Sequence, residues 1–225
     1  MDISVVFYTA NMLPKVFANA TQGYLLEAIG DLPLISVSHK PMKFGQNIVV
    51  DLPRSHFNIY RQALIGAKTA KTKYIALAED DVLYSPAHFK YRPNLGKFAY
   101  DLGAWSIFTW HKPLTYTHKG KVRRNLHSLI CERDLFIEAM EERFTKYPEP
   151  AGIEHIWAEP GKYERQLGVT VRETEEFYSN PPSVVFSHEN ELSFAGLGTR
   201  KRAGEFRAHD IPYWGRAEDL LKEFI

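Results

Sequence analysis

The sequence predicts an α/β fold whose core is a parallel, helix-covered sheet. Three observations predict it. Through the first 81 residues, short apolar β-branched runs alternate with helix-length segments carrying one apolar face. The runs have the length of buried strands. One of them, Tyr74 to Ala78, breaks directly into Glu79-Asp80-Asp81 and then returns to Val82-Leu83-Tyr84. Ligands in such sheets bind at the carboxyl ends of the strands, so that break marks a candidate site.

Taken in order, Ile3 to Tyr8 reads as the first strand, followed by the small-residue loop Thr9 to Met12. Pro14 suits the first turn of a helix. Val16, Ala20, Tyr24 and Ala28 share a face of that helix, and Gly30 stops it. Leu34 to Ser38 is a second strand and Asn47 to Val50 a short third. Ser55 caps a helix running to about Thr69, with Phe57, Tyr60, Leu64 and Ala67 on one side. The second half is less regular. Ala104 to Trp110, Val169 to Val171 and Val184 to Phe186 read as strands. Arg133 to Phe144, Ile153 to Leu167 and Arg216 to Phe224 read as helices. Gly196, Gly198 and Gly204 surround a basic run, Arg200-Lys201-Arg202, within a loop.

The bulk composition narrows the functional classes. The 225 residues are 44% hydrophobic and 24% charged, ordinary for a globular protein. A formal charge of +1, from 28 basic and 27 acidic residues, argues against a general polyanion binder but not against local basic clusters. The single cysteine, Cys131, excludes an internal disulfide and a Cys-rich metal site, which suits a reducing compartment. No apolar stretch approaches the ~18 residues of a membrane span. A strand-like run beginning at Ile3 leaves no room for a signal segment. A cytoplasmic protein is the expectation, and nothing sets its oligomeric state.

Three adjacent carboxylates at a strand end repel one another and are costly to desolvate. A solvated acidic turn is the plain alternative, but the apolar residues on both sides hold this turn close to the core. A divalent cation carrying a phosphorylated ligand would compensate the charge, because hard cations prefer oxygen ligands. Asp81 would bind that metal. Asp80 would accept hydrogen bonds from a ribose or a metal-bound water, and Glu79 would support either.

The order of elements, with Ala-Glu-Asp-Asp-Val following a strand and an Ala-Lys-rich helix end, resembles the nucleotide-sugar glycosyltransferases of the GT-A fold. The likeness is to the family 2 type. It covers roughly residues 3 to 190 and rests on short motifs in a particular order. The resemblance implies a GT-A, Rossmann-like, mixed and mostly parallel sheet flanked by helices. It implies one domain over 1–225, with a nucleotide-binding half at 1–110 and an acceptor-binding half at 111–225. It also implies a metal-dependent transfer of a sugar from a nucleotide-diphosphate donor to an acceptor hydroxyl, with Mn²⁺ or Mg²⁺ as cofactor.

Residue by residue, Thr9, Asn11 and Asp80 would then hold the nucleoside. Asp81 and Glu79 would occupy the Asp-x-Asp metal motif, with Glu in place of its first Asp, and His188 would be a further ligand. Glu154, opening Glu154-His155-Ile156-Trp157, would be the catalytic base of an inverting transfer, with His155 where an Asp is usual. Arg200 and Lys201 would close over the diphosphate and exclude water.

A compact transferase of this kind also resembles phage-encoded enzymes, for which the location would be the host cytoplasm. One acceptor class there is hydroxymethylated pyrimidine in DNA, whose phosphates Lys119, Lys121, Arg123 and Arg124 and the loop cations would hold. Saccharide and protein hydroxyls are the other acceptors. Two alternatives to a glycosyltransferase stand beside it. A nucleotidyltransferase of related fold carries a Gly-rich phosphate loop, which Tyr8 to Met12 lacks. A catalytically inactive nucleotide-sugar-binding module is left open by Glu79 and His155.

Overall fold

The computed structural model describes residues 1–120, 123–149, 152–190 and 203–225. The first half follows the predicted alternation: β1 (Ile3–Thr9), α1 (Lys15–Ile29), β2 (Leu34–Ser38), β3 (Gln46–Val49), α2 (His56–Thr69) and β4 (Tyr74–Glu79). Pro14 is the residue preceding α1, and Gly30 at its end is left-handed (φ 55°), its N–H donating to Leu26 O. Ser55 caps α2, its hydroxyl accepting the Asn58 N–H at 3.1 Å.

The rest of the chain adds β5 (Val82–Leu83), α3 (Pro86–Lys90), β6 (Lys97–Asp101), β7 (Ala104–Phe108), β8 (Tyr116–His118) and β9 (Leu129–Glu132). There follow α4 (Arg133–Lys146), α5 (Glu164–Leu167), β10 (Glu173–Phe177), β11 (Ser183–Ser187) and β12 (Phe206–Ala208). The hairpin β13 (Asp210–Ile211) and β14 (Gly215–Arg216) leads to α6 (Ala217–Leu221).

The central sheet has seven strands in the order β10-β6-β9-β4-β1-β2-β3. It is mixed and mostly parallel: only β9 runs antiparallel to its neighbours, β4 and β6. Both faces are covered, which is why β1 is buried at every position and β4 at every position before Glu79, with apolar residues running on rather than alternating. Val6, Tyr8, Ile75 and Leu77 pack beneath α2 and α4, with Tyr60, Ala63, Ala67, Phe136 and Met140. Val5, Phe7, Ala76 and Ala78 pack on the other side with Leu25 and Ile29 of α1 and Phe89 of α3. Gly66 lets α2 lie directly on β1: a methyl group added there would fall 2.2 Å from Val6 Cγ1.

A second sheet, ordered β12-β8-β7-β11-β5, grows from the end of the first at β5. Its pairings put Ser106, Thr117 and Val185 on one face. On the other face, Ile107, Tyr116, Val184 and Phe186 join a core with Phe17, Trp214, Leu220 and Phe224. Among the described residues no helix is long and apolar enough to cross a membrane.

The second half departs from the sequence expectation at several places. Ile153 to Leu167 is not one helix. Residues 152–156 form turns, Pro160 and a left-handed Gly161 (φ 87°) follow, and only Glu164–Leu167 is helical. Pro has no N–H for a helix interior and its ring clashes with the preceding turn. The expected strand at Val169 to Val171 lies instead at Glu173–Phe177, an acidic edge strand whose charges hide its strand character. The buried strand β9, the strand β8 and the edge strand β12 had no counterpart in the sequence reading.

Candidate functional site

The carboxyl ends of β1, β2 and β4 open into a cleft of about 570 Å³, facing the small-residue side of the second sheet. Thr9, His39, Glu79, Asp80 and Asp81 line it from the first sheet, and Ser106, Thr117, Val185 and Ser187 from the second. Strand ends of parallel sheets expose unpaired backbone groups and converging loops, which is why ligands collect there. Small side chains on the opposite wall leave the space unfilled.

The acidic turn is the electrostatic centre of this cleft. Glu79 accepts the Tyr8 hydroxyl at 2.7 Å, and its other oxygen lies 3.6 Å from His127 Nδ1. Burial, then the Glu79 charge, pushes the Tyr8 phenol well above its ordinary range, so it stays a donor. The Thr9 hydroxyl donates to Asp80. Asp81 Oδ2 lies 3.6 Å from His188 Nε2. The Asp80 carboxyl is pushed up to about 7 by burial and by the neighbouring charge of Asp81, with Glu79 adding to it against the Thr9 hydrogen bond. Burial alone would lower His127, but the Glu79 hydrogen bond and the charges of Glu79, Asp81 and Glu159 leave it raised. Like charges crowded in a low-dielectric corner are what these shifts express.

Of the site residues read from sequence, the structure brings Thr9, Glu79, Asp80, Asp81 and His188 into one cleft. Asn11 is not among the residues lining it. Asn11 is left-handed (φ 54°), and its side-chain oxygen accepts the Lys40 N–H at 2.8 Å, tying the β1 loop to the chain after β2. Glu154 is exposed on the 152–156 turns and does not line the cleft either. The broken helix is the reason, and it changes which carboxylate of this segment faces the cleft. Glu159 does, with one oxygen accepting the Leu126 N–H at 3.1 Å and the other Lys162 Nζ at 2.9 Å. Arg200 and Lys201 lie outside the described residues.

Four cleft-forming residues were missed in the sequence. Tyr8 reads as core because its ring is buried, and only the fold shows its hydroxyl meeting Glu79. Gln62 of α2 donates to Thr9 O at 3.0 Å and Val37 O at 3.2 Å, joining the ends of β1 and β2. A lone Gln on an apolar helix face was its signal. His127 has no local pattern to betray it. Glu159 had one: an acidic residue between an aromatic and a Pro-Gly turn.

The donor set fits a divalent cation shared with a ligand, not an all-protein cage. Among the described residues no group of three His, Cys, Asp or Glu side chains is placed to hold an ion. Glu79, expected as a metal ligand, has its oxygens turned to Tyr8 and His127. Asp81 and His188 remain, at a separation of 3.6 Å. Adjacent octahedral ligands at ~2.1 Å from a metal stand about 3 Å apart, so a small closure would let both bind. Mg²⁺ commonly takes one or two protein ligands and completes its shell with substrate phosphates and water.

No protein-family model matches the sequence, and no curated protein is similar to it. Solved structures do resemble its chain path. A glycosyltransferase involved in the glycosylation of the major capsid of PBCV-1 is 12% identical over 82% of this chain and 93% of its own, with a TM-score of 0.46. The glycosyltransferase GlyE of Streptococcus pneumoniae TIGR4 is 10% identical over 78% of this chain and 45% of its own, at 0.48. A nucleotidyl transferase from Methanothermobacter thermautotroptrophicus is 15% identical over 77% of this chain and 86% of its own, at 0.42. Likeness at this level assigns no activity.

Proposed function

We propose that the cleft is the donor site of a GT-A-type glycosyltransferase that moves a sugar from a nucleotide-diphosphate sugar to an acceptor hydroxyl. One observation carries this reading. Three consecutive carboxylates stand at the carboxyl end of β4, in a cleft large enough for a nucleotide, and burial together with the neighbouring Asp81 charge pushes Asp80 up to about 7. Such a corner repels a bare pyrophosphate and welcomes one delivered with a cation.

In this reading Asp81 and His188 hold Mn²⁺ or Mg²⁺. The metal supplies charge neutralisation for the departing diphosphate. Asp80, steadied by Thr9, accepts hydrogen bonds from the nucleoside ribose. Tyr8 and His127 hold Glu79 in place beside them, which keeps the turn from swinging into solvent. Glu159 replaces Glu154 as the carboxylate that removes the acceptor proton in an inverting transfer. Its two hydrogen bonds fix it at the cleft wall. Excluding water matters to such a site because donor hydrolysis competes with transfer.

The test is a thermal-shift screen of nucleotide-sugars with and without Mn²⁺, repeated in Asp81→Asn. A metal-dependent rise confined to the wild type supports the donor site, and its absence removes it. Release of free sugar from the same donor distinguishes an enzyme from a binding module.

A further inference from the structure

The two ends of the cleft carry opposite charge. One cross-strand row of the second sheet joins them. Val82, next after Asp81, pairs with Val185, Val185 with Ser106, Ser106 with Thr117, and Thr117 with Arg207 of the edge strand β12. Residues directly opposite one another share a face of a sheet, so Arg207 stands on the cleft side. Four strand spacings of ~4.8 Å put it about 19 Å from the acidic turn. Lys119, just past β8, and Arg123 line the cleft at this end. All three cations are exposed, and none makes an ion pair among the described residues. Arg124, the next residue after Arg123, is turned away: it pairs with Glu176 at 3.0 Å and lies over the Tyr100 ring. Glu205, just before β12, makes no ion pair with the three among the described residues. In a chain of net charge +1 they set up a local positive field.

The stretch of chain that carries Arg123 also holds the proposed base. Leu126 donates its N–H to Glu159 at 3.1 Å. Lys162 Nζ donates to the other Glu159 oxygen at 2.9 Å and to the carbonyl oxygen of Arg124. Arg123 therefore enters the cleft three residues before the backbone N–H that fixes Glu159.

The wall between the two ends selects the kind of molecule that would span it. Thr117, Ser106 and Ser187 line it with hydroxyls, and Asn125 adds an amide. Such groups donate and accept, as a chain of sugar hydroxyls requires. The exposed aromatic of the edge, Phe206, pairs with His118 and by alternation faces the other side of the sheet. The cleft side of the edge thus offers hydroxyls and cations. Arginine's planar fork of donors matches carboxylate and phosphate oxygens alike. A single sugar at the acidic turn does not reach the cations, whereas a chain of sugars does.

We propose that the acceptor is an anionic glycan, an oligosaccharide bearing carboxylate or phosphate groups. Lys119, Arg123 and Arg207 bind its charges while its reacting hydroxyl meets Glu159. The acidic turn repels the same charges, so the chain lies in one direction only. The proposal rests on the transferase reading above and names the acceptor class of that same cleft.

The experiment measures binding by fluorescence anisotropy in EDTA, so that no metal bridges an anion to the acidic turn. The probes are a labelled oligogalacturonate, its uncharged methyl ester and labelled inorganic polyphosphate. Wild type binds a charged probe and ignores the methyl ester, and affinity falls as salt rises. Replacing Lys119, Arg123 and Arg207 together by Ala weakens the charged probe roughly 3- to 150-fold, as expected of three solvent-exposed ion pairs. Arg123→Ala alone weakens it, whereas Arg124→Ala, one residue away and the same change in net charge, does not. Preference for oligogalacturonate assigns a carboxylate-bearing glycan, and preference for polyphosphate a phosphate-bearing one. A wild type that ignores both charged probes, or binds the methyl ester equally well, overturns the proposal. So does equal loss in Arg123→Ala and Arg124→Ala. Wild type that shifts with a nucleotide-sugar and Mn²⁺ yet ignores both charged probes defeats the anionic acceptor alone. Wild type that binds a charged probe through the three cations but responds to no nucleotide-sugar defeats the transferase reading, and the acceptor role with it.

Discussion

Removing Glu164 is expected to destabilise the protein more than its modest helix would suggest. Glu164 is 5% exposed, and Arg143 facing it is fully buried. One carboxylate oxygen accepts Arg143 Nη2 at 3.1 Å and the Gly161 N–H at 2.8 Å. The other accepts the Arg172 N–H at 2.8 Å. Glu164→Ala strands a buried guanidinium and frees two backbone donors of the segment that carries Glu159 into the cleft. Breaking one side of a buried ion pair costs roughly 3–5 kcal/mol. At ~2–4 °C per kcal/mol for a domain of this size, the Tm should fall by roughly 6–20 °C. Replacing both partners by Leu removes the stranded charge, so the double variant should be more stable than Glu164→Ala alone. Differential scanning calorimetry on Glu164→Ala, on the singles Glu164→Leu and Arg143→Leu, and on the Leu double variant reads each term. A fall under about 2 °C in Glu164→Ala, or a double variant as unstable as the sum of the singles, refutes the reasoning.

Two further outcomes are expected. Burial by itself would raise the Asp101 carboxyl, but the His88 hydrogen bond and charge, with the Ser179 contacts, hold it below the usual carboxylate range. A depressed folded-state pKa means its stabilisation is present above the unfolded value of ~3.9 and lost as pH falls through the folded one. The Tm gap between wild type and Asp101→Asn should therefore be wide at neutral pH and narrow below about pH 4; a gap constant from pH 7 to 3 contradicts the assignment. Gly66→Ala should cost about 1–3 kcal/mol by overpacking, because the added methyl meets Val6 Cγ1 at 2.2 Å in the middle of β1. Chemical denaturation that leaves this variant as stable as wild type would show that α2 is not seated as closely as the structure has it.

The first half was legible because its physics is local. Apolar runs such as Ile3 to Tyr8 are buried on both faces, Ser55 satisfies a helix N–H, and Gly30 is left-handed, each a consequence of residue type. The acidic corner was legible for the same reason: three charges after a buried strand have few places to go. The second half depends on pairings distant in sequence. Leu129–Glu132 becomes a strand because β4 and β6 leave a gap for it, which nothing in those four residues announces. Phe206 to Ala208 is a strand because β8 offers an edge. Glu154 and Glu159 show the functional cost of this: periodicity carried a helix through Pro160 and Gly161, and the turn there decides which carboxylate meets the cleft. Tyr8 and His127 are partners of Glu79 only once β1, β4 and the 126–128 turn have been brought together.

The central claim is that the acidic corner grips a cation which in turn grips a pyrophosphate. It is measured most directly by the melting temperature of wild type and Asp81→Asn with a nucleotide-sugar, with and without Mn²⁺. At a hundredfold excess over Kd a ligand adds about 2.7 kcal/mol, or roughly 5–11 °C for a chain of this length. The account expects that rise in the wild type only when metal and donor are present together, and its loss in Asp81→Asn. A donor that stabilises both proteins equally, or a wild type that responds to no nucleotide-sugar with Mn²⁺, contradicts it.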